Sequence, residues 1–153
     1  MKVYWRSHRK GSGFSGRFIA WWTFGKYKHT SLVFEDDGSL IGWESTFKGG
    51  VHSFEVDTIG GEGIDVKDVP VSSVKAAEML KWCEDRDGCR YDIKGILGHI
   101  RRKKMEDPDK YYCTELAAGA CQSVGFYIQE MAPWSITPVV GHASTAMPSR
   151  PDL

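Results

Sequence analysis

The feature of this sequence that most constrains its fold is a hairpin centred on Asp37-Gly38. Two strand-like segments, 29–34 and 40–44, flank this dipeptide. Asp-Gly is a preferred two-residue turn between antiparallel strands, so residues that face each other have numbers that add up to 75. This register predicts that Leu32 lies opposite Trp43 on an apolar face of the hairpin.

The other face of the same hairpin is polar. The register places Ser31 opposite Glu44 and makes His29 the diagonal neighbour of Glu44, about 7–8 Å away and within reach of a long side chain. A slip of one residue would move the carboxylate to the opposite face. The hairpin therefore predicts that the imidazole of His29 and the carboxylate of Glu44 are neighbours.

The whole chain, residues 1–153, is predicted to form one α+β domain. Its 153 residues have room for a single core, and 17 glycines and six prolines favour a turn-rich α+β protein over a helical bundle. Beyond the hairpin, the patterns predict strands over 3–6 and 51–56, short helices over 18–24 and 93–100, and a last helix from Cys113 toward Gly125. They also predict a helix over 70–85 whose inward-facing residues are Ala76, Leu80 and Cys83.

The composition favours a cytoplasmic protein. No stretch reaches the roughly 20 apolar residues of a membrane span. The start of the chain, Met1 to Arg6, is basic but lacks the apolar run of a signal peptide. Lys+Arg and Asp+Glu are both 20, so the overall charge gives no indication of a nucleic-acid or membrane partner.

A basic segment at the start of the chain suggests a second hypothesis. Residues 1–30 carry seven Lys and Arg and no acid, interleaved with aromatic residues such as Trp5, Phe18 and Trp21. Such a segment could bind nucleic acid or another polyanion. The alternative is that the aromatic rings lie in the core and the charges in water, and we prefer it because charged residues usually lie outside.

The four cysteines are predicted to be free thiols, since none forms a Cys-x-x-Cys pair. They are Cys83, Cys89, Cys113 and Cys121. A zinc site built from Cys83, Cys89 and His99 has looser spacing than known zinc motifs, so we predict no metal.

Cys113 lies where a cysteine can become reactive. The free N–H groups and positive dipole end of a helix favour thiolate over thiol, and the same N–H groups can stabilise an oxyanion. An imidazole and a carboxylate complete such a site, and His29 and Glu44 can supply them. Each of the three also has a structural explanation when taken singly, as a small buried residue, a structural histidine or a solvated carboxylate.

Four short blocks resemble one known group of proteins. They are Trp21–His29, Trp43-Glu44-Ser45 with Gly49-Gly50-Val51, Gly88–Asp92 and Tyr111–Leu116, followed by Ile136-Thr137-Pro138. In this order, histidine first and cysteine last, they are similar to the circularly permuted branch of the NlpC/P60 papain-like superfamily, in particular its YiiX/YycO-like members. The sequence departs from that pattern at Thr114, where serine is usual, and at Lys28, where a small or polar residue is typical.

The resemblance implies a papain-like antiparallel sheet with the nucleophile helix packed against it. It also implies a cysteine hydrolase in which Cys113 attacks an amide or ester carbonyl, His29 acts as base and then acid, and Glu44 orients His29. The Cys113 backbone N–H, with Tyr112 or Tyr91, would stabilise the oxyanion. The implied substrate is a peptide, an amide or an acyl ester, and no metal or cofactor is required.

Some alternatives stay open at this point. His52 could replace Glu44 as the orienting group, while His8, His99 and His142 are expected at the surface. The same fold could also serve as a non-catalytic binding or structural module. A cell-wall peptide substrate would require another route out of the cell, such as lysis or a phage particle. The oligomeric state is not indicated.

Overall fold

Five strands form one antiparallel sheet in the order β4-β3-β2-β1-β5. The computed structural model describes residues 1–9, 27–93 and 109–126, and every structural statement below refers to these. The strands are β1 (Lys2–Arg9), β2 (Tyr27–Asp36), β3 (Ser39–Thr46), β4 (Gly50–Glu55) and β5 (Ile64–Val69); the helices are α1 (Ser73–Glu84) and α2 (Cys113–Ser123). The predicted helices over 18–24 and 93–100 fall outside these ranges, apart from Ile93, as do His99, His142 and the predicted tail.

The hairpin forms in the predicted register. Leu32 pairs with Trp43, and Asp36 pairs with Ser39. Both turn residues have positive φ, 48° for Asp37 and 83° for Gly38, as the favoured two-residue hairpin turn requires.

The pairing between β2 and β3 stops earlier than predicted. The ladder ends at Leu32–Trp43 and does not include the expected Ser31–Glu44 pair, although β2 begins at Tyr27 and β3 continues to Thr46. The segment of β2 that precedes Leu32 is therefore paired with β1 but not with β3.

The sheet is larger than the sequence patterns predict. β1 spans Lys2–Arg9 rather than 3–6 because it pairs with β2 on one side and β5 on the other. β5 was not predicted: its apolar residues alternate with Asp65 and Lys67, and it gains its extended form as an edge strand beside β1.

Both helices pack against one face of the sheet. Trp5, Leu32 and Phe34 are buried there with residues from both helices, in a core that also includes Val3, Trp43, Val51, Val69, Ala76, Cys83, Leu116, Ala117, Ala120 and Cys121. Met79 is fully buried in this core, whereas Leu80, predicted to face inward, is only half-buried against it. These are the contacts that hold the start of α2 against the sheet.

The described part of the basic segment belongs to the fold. Trp5 and Tyr27 are buried, Arg6 is only 7% exposed, and Arg9 pairs with Asp65. These residues match the expectation of rings in the core, although Arg6 is buried where its charge was expected to be solvated. Residues 10–26 lie outside the described part of the chain. Neither described helix, of 12 and 11 residues, could span a bilayer.

The turn before β4 makes a close backbone approach that requires glycine. Gly50 has a φ of 66°, and a Cβ there would lie 2.3 Å from the carbonyl oxygen of Cys89. Around it, the Val51 N–H donates to the Cys89 carbonyl at 2.8 Å, and the Gly88 N–H donates to the Val51 carbonyl at 2.9 Å. Gly50 therefore lets the loop after α1 dock on β4.

Replacing Gly50 with Ala is expected to destabilise the protein more than the same change at Gly38. Both glycines have positive φ, which costs a side chain about 1–2 kcal/mol, but a Cβ at Gly38 would meet no atom within 4 Å. Urea unfolding of the two variants isolates the cost of the clash with Cys89. Equal losses would show that the loop moves away without cost.

Candidate active site

The start of α2 is fixed by the residue two positions before Cys113. The Tyr111 carbonyl accepts the Ser45 hydroxyl at 2.5 Å, and its N–H donates to the Arg90 carbonyl at 3.0 Å. The Tyr111 hydroxyl accepts the Arg86 Nε–H at 3.0 Å, while the Arg86 guanidinium stacks over Trp82. The sheet, α1 and the loop after it thus all anchor the chain immediately before the cysteine.

Cys113 is the first residue of α2, as predicted. Tyr112 before it is extended, with φ −90° and ψ 167°, and its carbonyl accepts the Leu116 N–H at 3.0 Å. The Tyr112 N–H donates to the Glu115 carboxylate at 3.3 Å. The Cys113 N–H therefore lies in the first turn, where an amide has no partner within its own helix.

His29 and Glu44 are neighbours, as the hairpin register predicts. The Nε2 atom of His29 lies 2.7 Å from Oε2 of Glu44, and the two side chains are 22% and 18% exposed. A carboxylate at this distance fixes the orientation of the ring and its tautomer. It also leaves Nδ1 as the ring nitrogen that is free to face another group.

The structure brings the Cys113 thiol to the imidazole of His29. The two side chains are hydrogen-bonded, and the sulfur also accepts a backbone hydrogen bond from Thr30. Thr30 lies in the part of β2 beyond the end of its ladder with β3. Thr30 is not paired with β3, and its backbone N–H donates to the Cys113 sulfur instead.

These contacts favour the charged forms of both groups. Burial by itself raises the pKa of Cys113, but the hydrogen bond and charge of His29, with donors from Thr30 and Thr114, lower it below its ordinary value. Burial by itself lowers the pKa of His29, but hydrogen bonds to Cys113 and Glu44 raise it to about 10. Both shifts favour a thiolate beside an imidazolium over the neutral pair.

Cys113 differs in this respect from the other three cysteines. Burial raises the pKa of Cys83 to about 12 and raises those of Cys89 and Cys121 as well. All four are free thiols, as predicted. Only the cysteine at the start of α2 lies in surroundings that activate its sulfur.

His52 contacts Glu44 from the side opposite His29. Its Nε2 atom lies 3.4 Å from Oε1 of Glu44, whereas the Nε2 atom of His29 contacts Oε2. The carboxylate thus lies between the two imidazoles. This arrangement makes Glu44 the direct partner of His29 and places His52 behind it.

The prediction that His8 lies at the surface is wrong. It is half-buried beside His29, with ring centroids 5.3 Å apart, and its Nε2 atom lies 3.4 Å from the Ser31 hydroxyl. Burial, followed by repulsion from His29 and Arg6, lowers the pKa of His8 to about 4 and keeps it neutral. The sequence pattern missed this neighbour because β1 was predicted to end before residue 8.

The two tyrosines proposed as oxyanion donors both lie close enough to sense the Cys113 charge. Burial, then the charge of Cys113, raises the pKa of Tyr91, and its ring contacts Phe47 with centroids 6.2 Å apart. Burial, then the charges of Glu115 and Cys113, raises the pKa of Tyr112. Both hydroxyls therefore keep their protons and can donate hydrogen bonds.

A metal centre has no support among the residues that the structure describes. Residues 1–9, 27–93 and 109–126 contain no group of three or more His, Cys, Asp or Glu side chains arranged to hold a metal ion. Of the zinc site considered from the sequence, Cys83 is buried in the core, Cys89 lies in the loop after α1, and His99 is outside these ranges.

Two comparisons, with protein-family models and with curated proteins, find no match for this chain. A function is therefore inferred from the site itself.

Proposed function

We propose that this protein is a cysteine-dependent hydrolase of amide or ester bonds. The observation that carries the proposal is the position of His29, hydrogen-bonded to the Cys113 thiol on one side and to the Glu44 carboxylate at 2.7 Å on the other. A nucleophile, a base and an orienting carboxylate in series form the arrangement that activates a thiol for attack on a carbonyl.

The reaction follows from the protonation states of the pair. The Cys113 thiolate attacks the carbonyl carbon, and the electron pair of the C=O bond moves to oxygen, which the Cys113 N–H can stabilise. When the oxyanion collapses, the bond to the leaving amine or alcohol breaks, and the His29 imidazolium gives its proton to that group. The product of this half-reaction is a thioester on Cys113.

Water completes the cycle at the same residues. The neutral His29 takes a proton from water while the oxygen attacks the thioester carbonyl, and the second oxyanion expels the Cys113 thiolate. A carboxylic acid leaves and the thiolate–imidazolium pair is restored. The substrate class is a peptide, an amide or an acyl ester, and the chemistry needs no metal.

The proposal includes a permuted papain-like fold. Its support is an antiparallel sheet that carries His29 and Glu44, with α2 packed against it and Cys113 at its first residue. The order along the chain, histidine first and cysteine last, is the order that circular permutation of a papain-like domain produces.

Selective alkylation of Cys113 tests the proposal without knowledge of the substrate. At pH 6.5 an ordinary thiol is only about 1% ionised, and the lowered pKa of Cys113 gives it a larger thiolate fraction. With iodoacetamide we expect Cys113 to react at least about tenfold faster than Cys89, read by peptide mass spectrometry. Its rate should also fall less steeply between pH 8 and pH 6.

The same measurement contains its own control. In concentrated urea all four cysteines should react at similar rates, because the selectivity depends on the folded site. If folded Cys113 reacts no faster than Cys89 at pH 6.5, its sulfur is not a reactive nucleophile and the hydrolase proposal is wrong. The non-catalytic module would then be the better hypothesis.

A further inference from the structure

The histidine behind Glu44 has contacts that the proposed reaction does not yet use. His52 lies directly opposite Glu44 in the β3–β4 pairing, and its Nε2 atom is 3.4 Å from Oε1 of that carboxylate. Oε2 of the same carboxylate holds His29. We propose that His52 is a positioning residue of the hydrolytic site, holding the Glu44 carboxylate by its second oxygen so that the first stays on His29.

The ring of His52 is itself held in place. Its Nδ1 atom lies 3.0 Å from the Gly50 carbonyl and donates to it, since a carbonyl can only accept. A Cβ at Gly49 would lie 3.1 Å from the ring, so the turn closes tightly around it. Each ring nitrogen of His52 thus faces an oxygen atom, Nδ1 the Gly50 carbonyl and Nε2 the Oε1 atom of Glu44.

A carboxylate needs such a second contact in this position. The Glu44 side chain is 18% exposed, and a side chain held through one oxygen can rotate about its terminal bond. The contact from β4 restricts that rotation. The outer partners of a ligating or catalytic group often matter in this way, because they fix the geometry of the group that acts.

The electrostatic surroundings of Glu44 include groups from three other strands of the sheet. They are His29 on β2, His52 on β4, and Arg6 and His8 on β1. Burial opposes ionisation of Glu44, but the hydrogen bond to His29 and the charges of His29 and His52 keep the pKa of Glu44 below its ordinary value. A change at His52 therefore reaches Cys113 through Glu44 and His29.

The inference rests on the proposed function, and three variants test it by the pH profile of Cys113 alkylation. In His52→Gln the amide nitrogen takes about the place of Nε2 and keeps the contact with Glu44. In His52→Asn it takes about the place of Nδ1 and keeps only the contact with Gly50. His52→Ala keeps neither.

We expect the acid limb of the profile to move up by about one pH unit in the Ala and Asn variants, a tenfold loss of thiolate on that limb. The Gln variant should stay within about 0.3 unit of the parent protein. His52 is 36% exposed, and urea unfolding of each variant checks that the fold is kept. A role in the turn alone would instead be rescued by Asn.

The outcomes separate this inference from the hydrolase proposal. If Cys113 of the parent protein is no more reactive than Cys89, the hydrolase proposal fails and His52 has no site to position. If Cys113 is selectively reactive but the Ala variant keeps the parent profile, only the role of His52 is overturned. A Gln variant that behaves like Ala, or an Asn variant that behaves like the parent, overturns it as well.

Discussion

Replacing Cys113 with Ala is expected to abolish hydrolysis and to prevent any acyl adduct from forming on the protein. In the proposed reaction the Cys113 sulfur bonds to the carbonyl carbon, and alanine supplies no nucleophile in its place. Loss of the nucleophile in a comparable triad lowers kcat by about 10⁶-fold. Release of p-nitrophenol from a p-nitrophenyl ester measures turnover, and intact-protein mass spectrometry after brief exposure measures the adduct.

Cys89→Ala is the matched control for this variant. Its side chain is half-exposed in the loop after α1, and it takes no part in the proposed reaction. It should keep both turnover and the acyl adduct, while urea unfolding shows that Cys113→Ala remains folded. Hydrolysis by Cys113→Ala at a rate comparable to the parent, or an adduct on another residue, would contradict the mechanism.

Replacing His29 with Ala is expected to lower turnover to within about tenfold of the Cys113→Ala variant, since triad members act as a unit. The thiol loses the partner that lowers its pKa, and the leaving group loses its proton donor. Glu44→Gln should be milder, because an amide still contacts the ring and the nucleophile and base remain. The kcat/KM values of the three proteins measure this order.

The pH dependence of the parent protein adds a second readout for His29. The pKa of His29 is raised to about 10, so the imidazolium is present below that pH and is lost as the pH rises through it. Turnover should therefore fall near pH 10, whereas alkylation of Cys113 should not, because the thiolate needs no proton donor to react with iodoacetamide. An alkaline limb near pH 6.5, the ordinary pKa of histidine, would contradict the raised value.

Much of the site could be predicted from local patterns. The Asp37-Gly38 turn sets the register of its two strands, and the two-residue period of a strand then places His29 and Glu44 on one face. Cys113 could likewise be placed at the start of a helix. Such features depend on backbone geometry over a few residues, which a sequence expresses directly.

The ends of the strands and the edge strand β5 were less predictable. β5 and the end of β1 form because neighbouring strands supply their hydrogen bonds, and this pairing between distant segments brings His8 beside His29. The sequence pattern likewise predicted the β2–β3 ladder to include Ser31–Glu44, where the structure ends it at Leu32.

The sequence by itself determined the hairpin register, the proximity of His29 to Glu44 and the helical start at Cys113, because each follows from short-range backbone preferences. Only the tertiary structure decided that the sulfur meets the imidazole and that His52 contacts the far oxygen of Glu44. Those contacts depend on how α2 packs on the sheet and on how the Gly50 turn docks on the loop after α1. Packing of this kind joins residues far apart in the chain, and no local pattern specifies it.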